Sequence, residues 1–198
     1  MKKTILIILP IMLLSVWTLN IYTLNNQTPK RNETIFYMGD WVEYGNNFYE
    51  KSTENRNGYS IKVIKAEVIA FDEYLKNHQI SIFRDAELFT PQYVYDVSVI
   101  IKNKNNTTSG INMIDTTLNS ISNVMQIDFD IFDALYPQLS GSVSFSIKPN
   151  TEMDFHFPFV VANADFEKIC DYNYLTSNTF YLNLSQYPTK QSIEVKAA

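Results

Sequence analysis

The sequence predicts an all-β domain, an antiparallel β-sandwich with short helical insertions, standing behind an apolar N-terminal helix. Three observations predict it. Apolar and polar residues alternate with period two from Tyr59 onward, turn-forming residues fall between the alternating runs, and no long helical pattern separates them as a parallel α/β sheet requires. The chain has 198 residues, 45% apolar and 19% charged, which suits one folded domain and excludes wholesale disorder.

The N-terminus, MKKTILIILPIMLLSVWTLNIYTL, has Lys2 and Lys3 ahead of an apolar run from Thr4 to Leu19 that reaches Leu24 past Asn20 and Thr23. As a helix this run spans about 30 Å, the thickness of a bilayer core. The leading lysines orient the N-terminus to the cytoplasm and the rest of the chain outward, although Lys30 and Arg31 weaken the asymmetry. SVWTLNIYTL lacks the small-residue pair that signal peptidase requires, which favours an uncleaved anchor over a cleaved signal; cleavage makes the domain a secreted one. The predicted organisation is a signal-anchor or signal peptide over 1–24, a polar tether over 25–34 and the sandwich over 35–198, with membrane contact through residues 4–24.

In YVYDVSVIIK, Tyr93, Tyr95, Val97, Val99 and Ile101 share one face and are predicted core, while Asp96, Ser98 and Lys102 share the solvent face. MQIDFDIF repeats the pattern with Ile127, Phe129 and Ile131 against Asp128 and Asp130. So do SVSFSIK (Val143, Phe145, Ile147) and EMDFHFPF (Met153, Phe155, Phe157, Phe159). Phe180, Leu182 and Leu184, then Ile193 and Val195, complete the set. In GYSIKVIKAEVIAF the apolar parity changes between Val63 and Ala66, which predicts a bulge or bend near Ile64 that lets one strand serve two sheets. DEYLKNH reads as a helical turn or two capped by Asp72, and DFEKICDYNYL as another.

The succession GYSIKVIKAEV, YVYDVSVIIKNKNN, PNTEMDFHFPF and TFYLNLSQYPTKQSIEVK, over roughly residues 36–196, resembles the small immunoglobulin-like extracytoplasmic domains of unknown function of Gram-positive bacteria. Its most specific element is YVYDVSVIIKNKNN. The resemblance implies an immunoglobulin-like sandwich outside the cytoplasm and brings no catalytic residues. Many such domains follow a signal peptide or a lipoprotein cysteine. Here no cysteine follows the apolar run, which leaves the helix as anchor.

A net charge of −5 without a basic cluster excludes nucleic acid. The single Cys170 excludes an intramolecular disulfide and a multi-cysteine metal site, and beside Ile169 it reads as a small buried apolar residue. Of the two histidines, His78 and His156, neither stands in a paired ligand spacing, and His156 reads as a solvated partner of Asp154 on an outer strand face. Asp128, Asp130 and Asp133 invite a calcium reading, but the spacing is not that of an EF-hand loop. Five glycines in the whole chain supply phosphate-cradling loops poorly. No metal, cofactor or enzymatic activity is expected.

The aromatic stretch YMGDWVEYGNNFYE has two readings. Trp41, Tyr44 and Tyr49 are candidate ligand-binding residues able to stack on sugar rings; the favoured reading makes the stretch a first strand plugging the core. The expected function is a non-catalytic, membrane-anchored extracytoplasmic domain mediating protein contacts at the cell surface, through the 103–110 turn and the 133–141 loop. The alternative is a carbohydrate or cell-wall binding module using Trp41, Tyr44 and Tyr49.

Overall fold

The computed structural model describes residues 2–27, 32–45, 55–82, 90–121, 123–139, 143–162, 171–186 and 189–198, with side chains from Pro10 onward. The chain divides into two compact units, Met1–Arg31 and Asn32–Ala198. The first is helix α1 (Lys2–Gln27), on which Ile11, Leu13, Leu14, Trp17 and Leu24 are all exposed. Among the described residues no helix is long and apolar enough to cross a membrane. The apolar run read from the sequence starts at Thr4, ahead of the first described side chain. Of the segment 25–34 read as a tether, residues 25–27 lie in α1 and residues 32–34 in β1. Asn and Gln cost little in a last turn whose carbonyls face water.

The second unit is mostly β, in several sheets. Its elements are β1 (Asn32–Tyr37), β2 (Val42–Glu43), β3 (Tyr59–Ala70), α2 (Phe71–Asn77), β4 (Pro91–Asn103), β5 (Ile111–Asn112), β6 (Thr117–Asn119) and β7 (Val124–Gln126). There follow α3 (Phe129–Leu135), β8 (Ser144–Phe145), β9 (Thr151–Ala162), α4 (Tyr172–Ser177), β10 (Phe180–Ser185) and β11 (Thr189–Val195). One sheet runs β1-β11-β10-β6-β7, a second β2-β3-β4-β9, and β5 pairs with β8 in a third. Pairing is antiparallel except that β1 lies parallel to β11, a departure from the all-antiparallel expectation.

The two larger sheets contribute to one core, as a sandwich requires. Val97, Val99, Phe155, Phe157 and Phe159 enter it from one sheet and Leu118, Phe180, Leu182, Ile193 and Val195 from the other. Across it the rings of Tyr95 and Phe180 stand 4.8 Å apart. Each such aromatic or branched side chain contributes about 1.5–3 kcal/mol by leaving water. The parity read from the sequence is therefore correct for the inner face of β4, β9, β10 and β11. The slip in β3 is also present: its register against β4 shifts between Val63 and Lys65, and the bulged Ile64 is exposed. The bulge does not divide the strand between sheets, since β3 pairs with β4 on both sides of it, from Tyr59 to Ala70.

Three elements differ from their sequence reading. MQIDFDIF is not one strand: it leaves β7 at Gln126 and turns into α3. Asp128 drives the change by accepting a hydrogen bond from the Ile131 N–H at 3.1 Å, an N-cap that alternation alone hides. The expected solvent row of Asp128 and Asp130 does not exist, and the 133–141 segment begins inside this helix. α2 starts one residue before its expected cap, with Ala70 at the N-cap and no side-chain cap bond; Asp72 lies in the first turn. SVSFSIK pairs only at Ser144–Phe145, leaving Val143 exposed.

Candidate functional site

The outer face of the β2-β3-β4-β9 sheet holds a cluster of titratable side chains. Cross-strand pairing brings Glu67 of β3 beside Asp96 of β4, and His156 of β9 beside Ser98 of β4. Because β3 runs directly into α2, that helix folds back over this face with Phe71 and Tyr74 buried. Asp96 lies fully buried beneath it. Its Oδ1 accepts from the Tyr74 hydroxyl at 3.1 Å, and its Oδ2 lies 2.6 Å from His156 Nδ1. The His156 backbone N–H donates to the Tyr136 hydroxyl at 2.7 Å. His78, the residue following α2, stacks 4.4 Å from the Tyr74 ring and 5.1 Å, edge-on, from the His156 ring.

A buried carboxylate costs several kcal/mol unless it is hydrogen-bonded and paired, and Tyr74 and His156 supply both. The hydrogen bond to Asp96 raises the pKa of His156 above its ordinary value of 6.5, against the opposing effect of burial. His78 moves the other way: burial, then the neighbouring His156 charge, lowers it. Burial raises the Tyr74 hydroxyl, reinforced by the Asp96 charge, and pushes Tyr136 up to about 12. Both phenols stay protonated at any physiological pH.

Ser98 completes a Ser, His and Asp set, but not in the arrangement of a nucleophile triad. Its Oγ lies 3.5 Å from His156 Nδ1, the nitrogen already held by Asp96. Nucleophile activation needs the hydroxyl on one imidazole nitrogen and the carboxylate on the other. No group of three or more His, Cys, Asp or Glu that could hold a metal occurs among the described residues.

The sequence reading placed Asp96 and His156 in solvent, and the structure corrects both: Asp96 is fully buried and only part of the His156 side chain, 36%, is exposed. A signal for this was present in the sequence. Val94 in β4 and Pro158 and Val160 in β9 carry apolar character on the outer parity, so this end of each strand is apolar on both sides and must be covered on both.

The aromatic candidates separate. Trp41 precedes edge strand β2 and is 42% exposed, with Lys62 Nζ 4.8 Å and Lys102 Nζ 5.7 Å from its ring centroid. Tyr44 is fully buried, with the equally buried Arg56 guanidinium 5.6 Å from its ring, and so offers no face to a sugar. Tyr49 and Cys170 lie outside the described residues.

In the 103–110 turn, the buried Asn103 and Asn106 staple the chain. Asn103 Nδ2 donates to the Asn106 and Ile147 carbonyls, and Asn106 Nδ2 to those of Asn55 and Asn57. A cleft of about 560 Å³ opens between this turn and Ser146–Pro149. Gly110 belongs there because a Cβ would collide with the Phe145 carbonyl.

A family model described as a domain of unknown function, DUF5028, matches residues 33–191. The chain belongs to the DUF5028 family. No curated protein and no solved structure matches it. The DUF5028 match begins within β1 and ends within β11, so it takes in the buried Asp96 cluster, and it leaves α1 outside.

Proposed function

We propose that this chain is a non-catalytic binding domain with an immunoglobulin-like sandwich, held at the outer surface of a cell membrane by its N-terminal apolar helix, and that it contacts a protein partner along the β1 edge. One observation carries the contact: β1 pairs only with β11 among the described residues, and along it Ile35 is 45% and Tyr37 61% exposed. An open strand edge with apolar side chains is the surface on which a partner's extended segment adds. The membrane assignment is supported by the apolar run from Thr4 and by the exposed apolar residues of α1. The non-catalytic reading is supported by the Asp96–His156 pair, whose shared nitrogen serves packing rather than nucleophile activation.

The test uses the full-length chain in cells, with a photocrosslinking residue replacing Tyr37 or, as control, Val124 at the opposite edge. A discrete protein adduct at position 37 that disappears with Ile35→Asp in a folded domain supports the reading. Equal labelling at both positions, or none at 37, overturns it. Recovery of the chain in the soluble fraction overturns the anchor. Glycan binding, the alternative, retains Trp41 alone of its described candidates; Trp41→Ala then abolishes retention on cell-wall polysaccharide.

A further inference from the structure

The two histidines of the chain lie 78 positions apart in sequence, on different elements, and meet ring against ring at 5.1 Å. One is fixed to the sheet, since His156 sits in β9 and holds Asp96 at 2.6 Å. The other follows the last turn of α2, where its backbone N–H bonds the Tyr74 carbonyl at 3.1 Å. α2 in turn lies over a second apolar cluster, separate from the main core, made of Phe71, Tyr74, Val94 and Ile131. We propose that α2 is an acid-released cover: when both imidazoles carry charge, the helix lifts from the sheet and uncovers the apolar surface of Val94 and Ile131.

The surrounding groups determine which way the pair responds. From β3 comes Glu67, itself bridged to Lys65 at 2.6 Å; from α2, Tyr74, Lys76 and His78; from β4, Asp96 and Ser98; from β9, Asp154 and His156; and after α3, Tyr136. Asp96 is held within hydrogen-bond distance of His156 and not of His78, so a first proton on His156 closes an ion pair and tightens the face. A second proton, on His78, meets that cation across a half-buried contact. Glu67 and Asp96 attract it, but burial and the His156 charge outweigh them, which keeps His78 neutral to lower pH than usual. α2 has seven residues, below the length at which a helix holds by itself, so it stays only while its contacts do.

Hydrogen exchange of the full-length chain in detergent micelles, read by mass spectrometry at about pH 8 and about pH 5 and corrected for intrinsic rates, tests this. The expected result is exchange of residues 71–78 about tenfold faster at the acid pH, with residues 94–100 of β4 unchanged as internal reference. His78→Gln, which keeps a neutral polar side chain, abolishes the acid increase. Protection of α2 that is equal at both pH values, or an acid increase that persists in His78→Gln, overturns the proposal. The reading does not depend on a protein partner at β1, and failure of either leaves the other standing.

Discussion

The two faces of the β2-β3-β4-β9 sheet are built from the same alternating strands by different means. The inner face is mainly apolar, with Val63, Val97, Val99, Phe155 and Phe157 each at most 1% exposed, and it is covered by the opposite sheet together with Phe132, Tyr136 and Phe145. The outer face carries Glu67, Asp96, Ser98 and His156, and two helices distant in sequence from β4 and β9 cover one end of it. On the inner face a residue's environment follows from its parity. On the outer face it follows from which neighbour folds back over it, so a carboxylate in the same strand becomes the most deeply buried acid described.

The largest test of this contrast is on the inner side. Phe157→Ala removes a fully buried ring from a close-packed core and is expected to cost about 3–5 kcal/mol in urea unfolding, independent of pH. Asp96→Ala strips the Tyr74 hydroxyl and His156 Nδ1 of their acceptor; the expected loss is about 3 kcal/mol, and unlike the first it varies with pH. If Asp96→Ala behaves as a surface substitution, the outer face is not closed and the contrast fails.

The pH dependence sharpens the comparison further. The pKa of His156 is raised in the folded state, so its pairing with Asp96 contributes in full below the unfolded value of 6.5 and is lost as pH rises through the folded value. His78 is lowered, so its contribution is present above 6.5 and is lost as pH falls through its folded value. Unfolding titrated with pH should therefore show the loss on the alkaline side vanish in His156→Gln. It should show the loss on the acid side vanish in His78→Gln. Smallest of all is Trp41→Ala at the open end of the same face, expected to stay within about 0.5 kcal/mol because the ring is exposed and its lysine neighbours are solvated.

The sandwich strands were legible because burial of one face leaves a period-two trace, and the bulge at Ile64 because it reverses that trace. The α3 helix was not, since Ile127, Phe129 and Ile131 keep a period of two into the start of the helix, and the Asp128 cap overrides it. The polar cluster was illegible for a different reason. His78 and His156 meet only because β3, β4 and β9 are adjacent and α2 folds back, contacts that local spacing does not encode. For the aromatic stretch, composition left two alternatives open, and the residues differ in burial: Tyr44 belongs to the core, Trp41 to the surface.

The parallel pairing of β1 with β11 joins residues made at widely different times. Lys190 reaches Glu33 at 2.7 Å across a sequence separation of 157, which a ribosome takes roughly ten to thirty seconds to add. Through that delay β1 has emerged but the strand it lies against has not. The second sheet, whose β3 and β4 are near neighbours in sequence, can assemble during the wait, whereas the first closes only at the end. A chain cut ahead of Thr189 therefore forfeits two strands rather than one, and its opening segment stays unpaired.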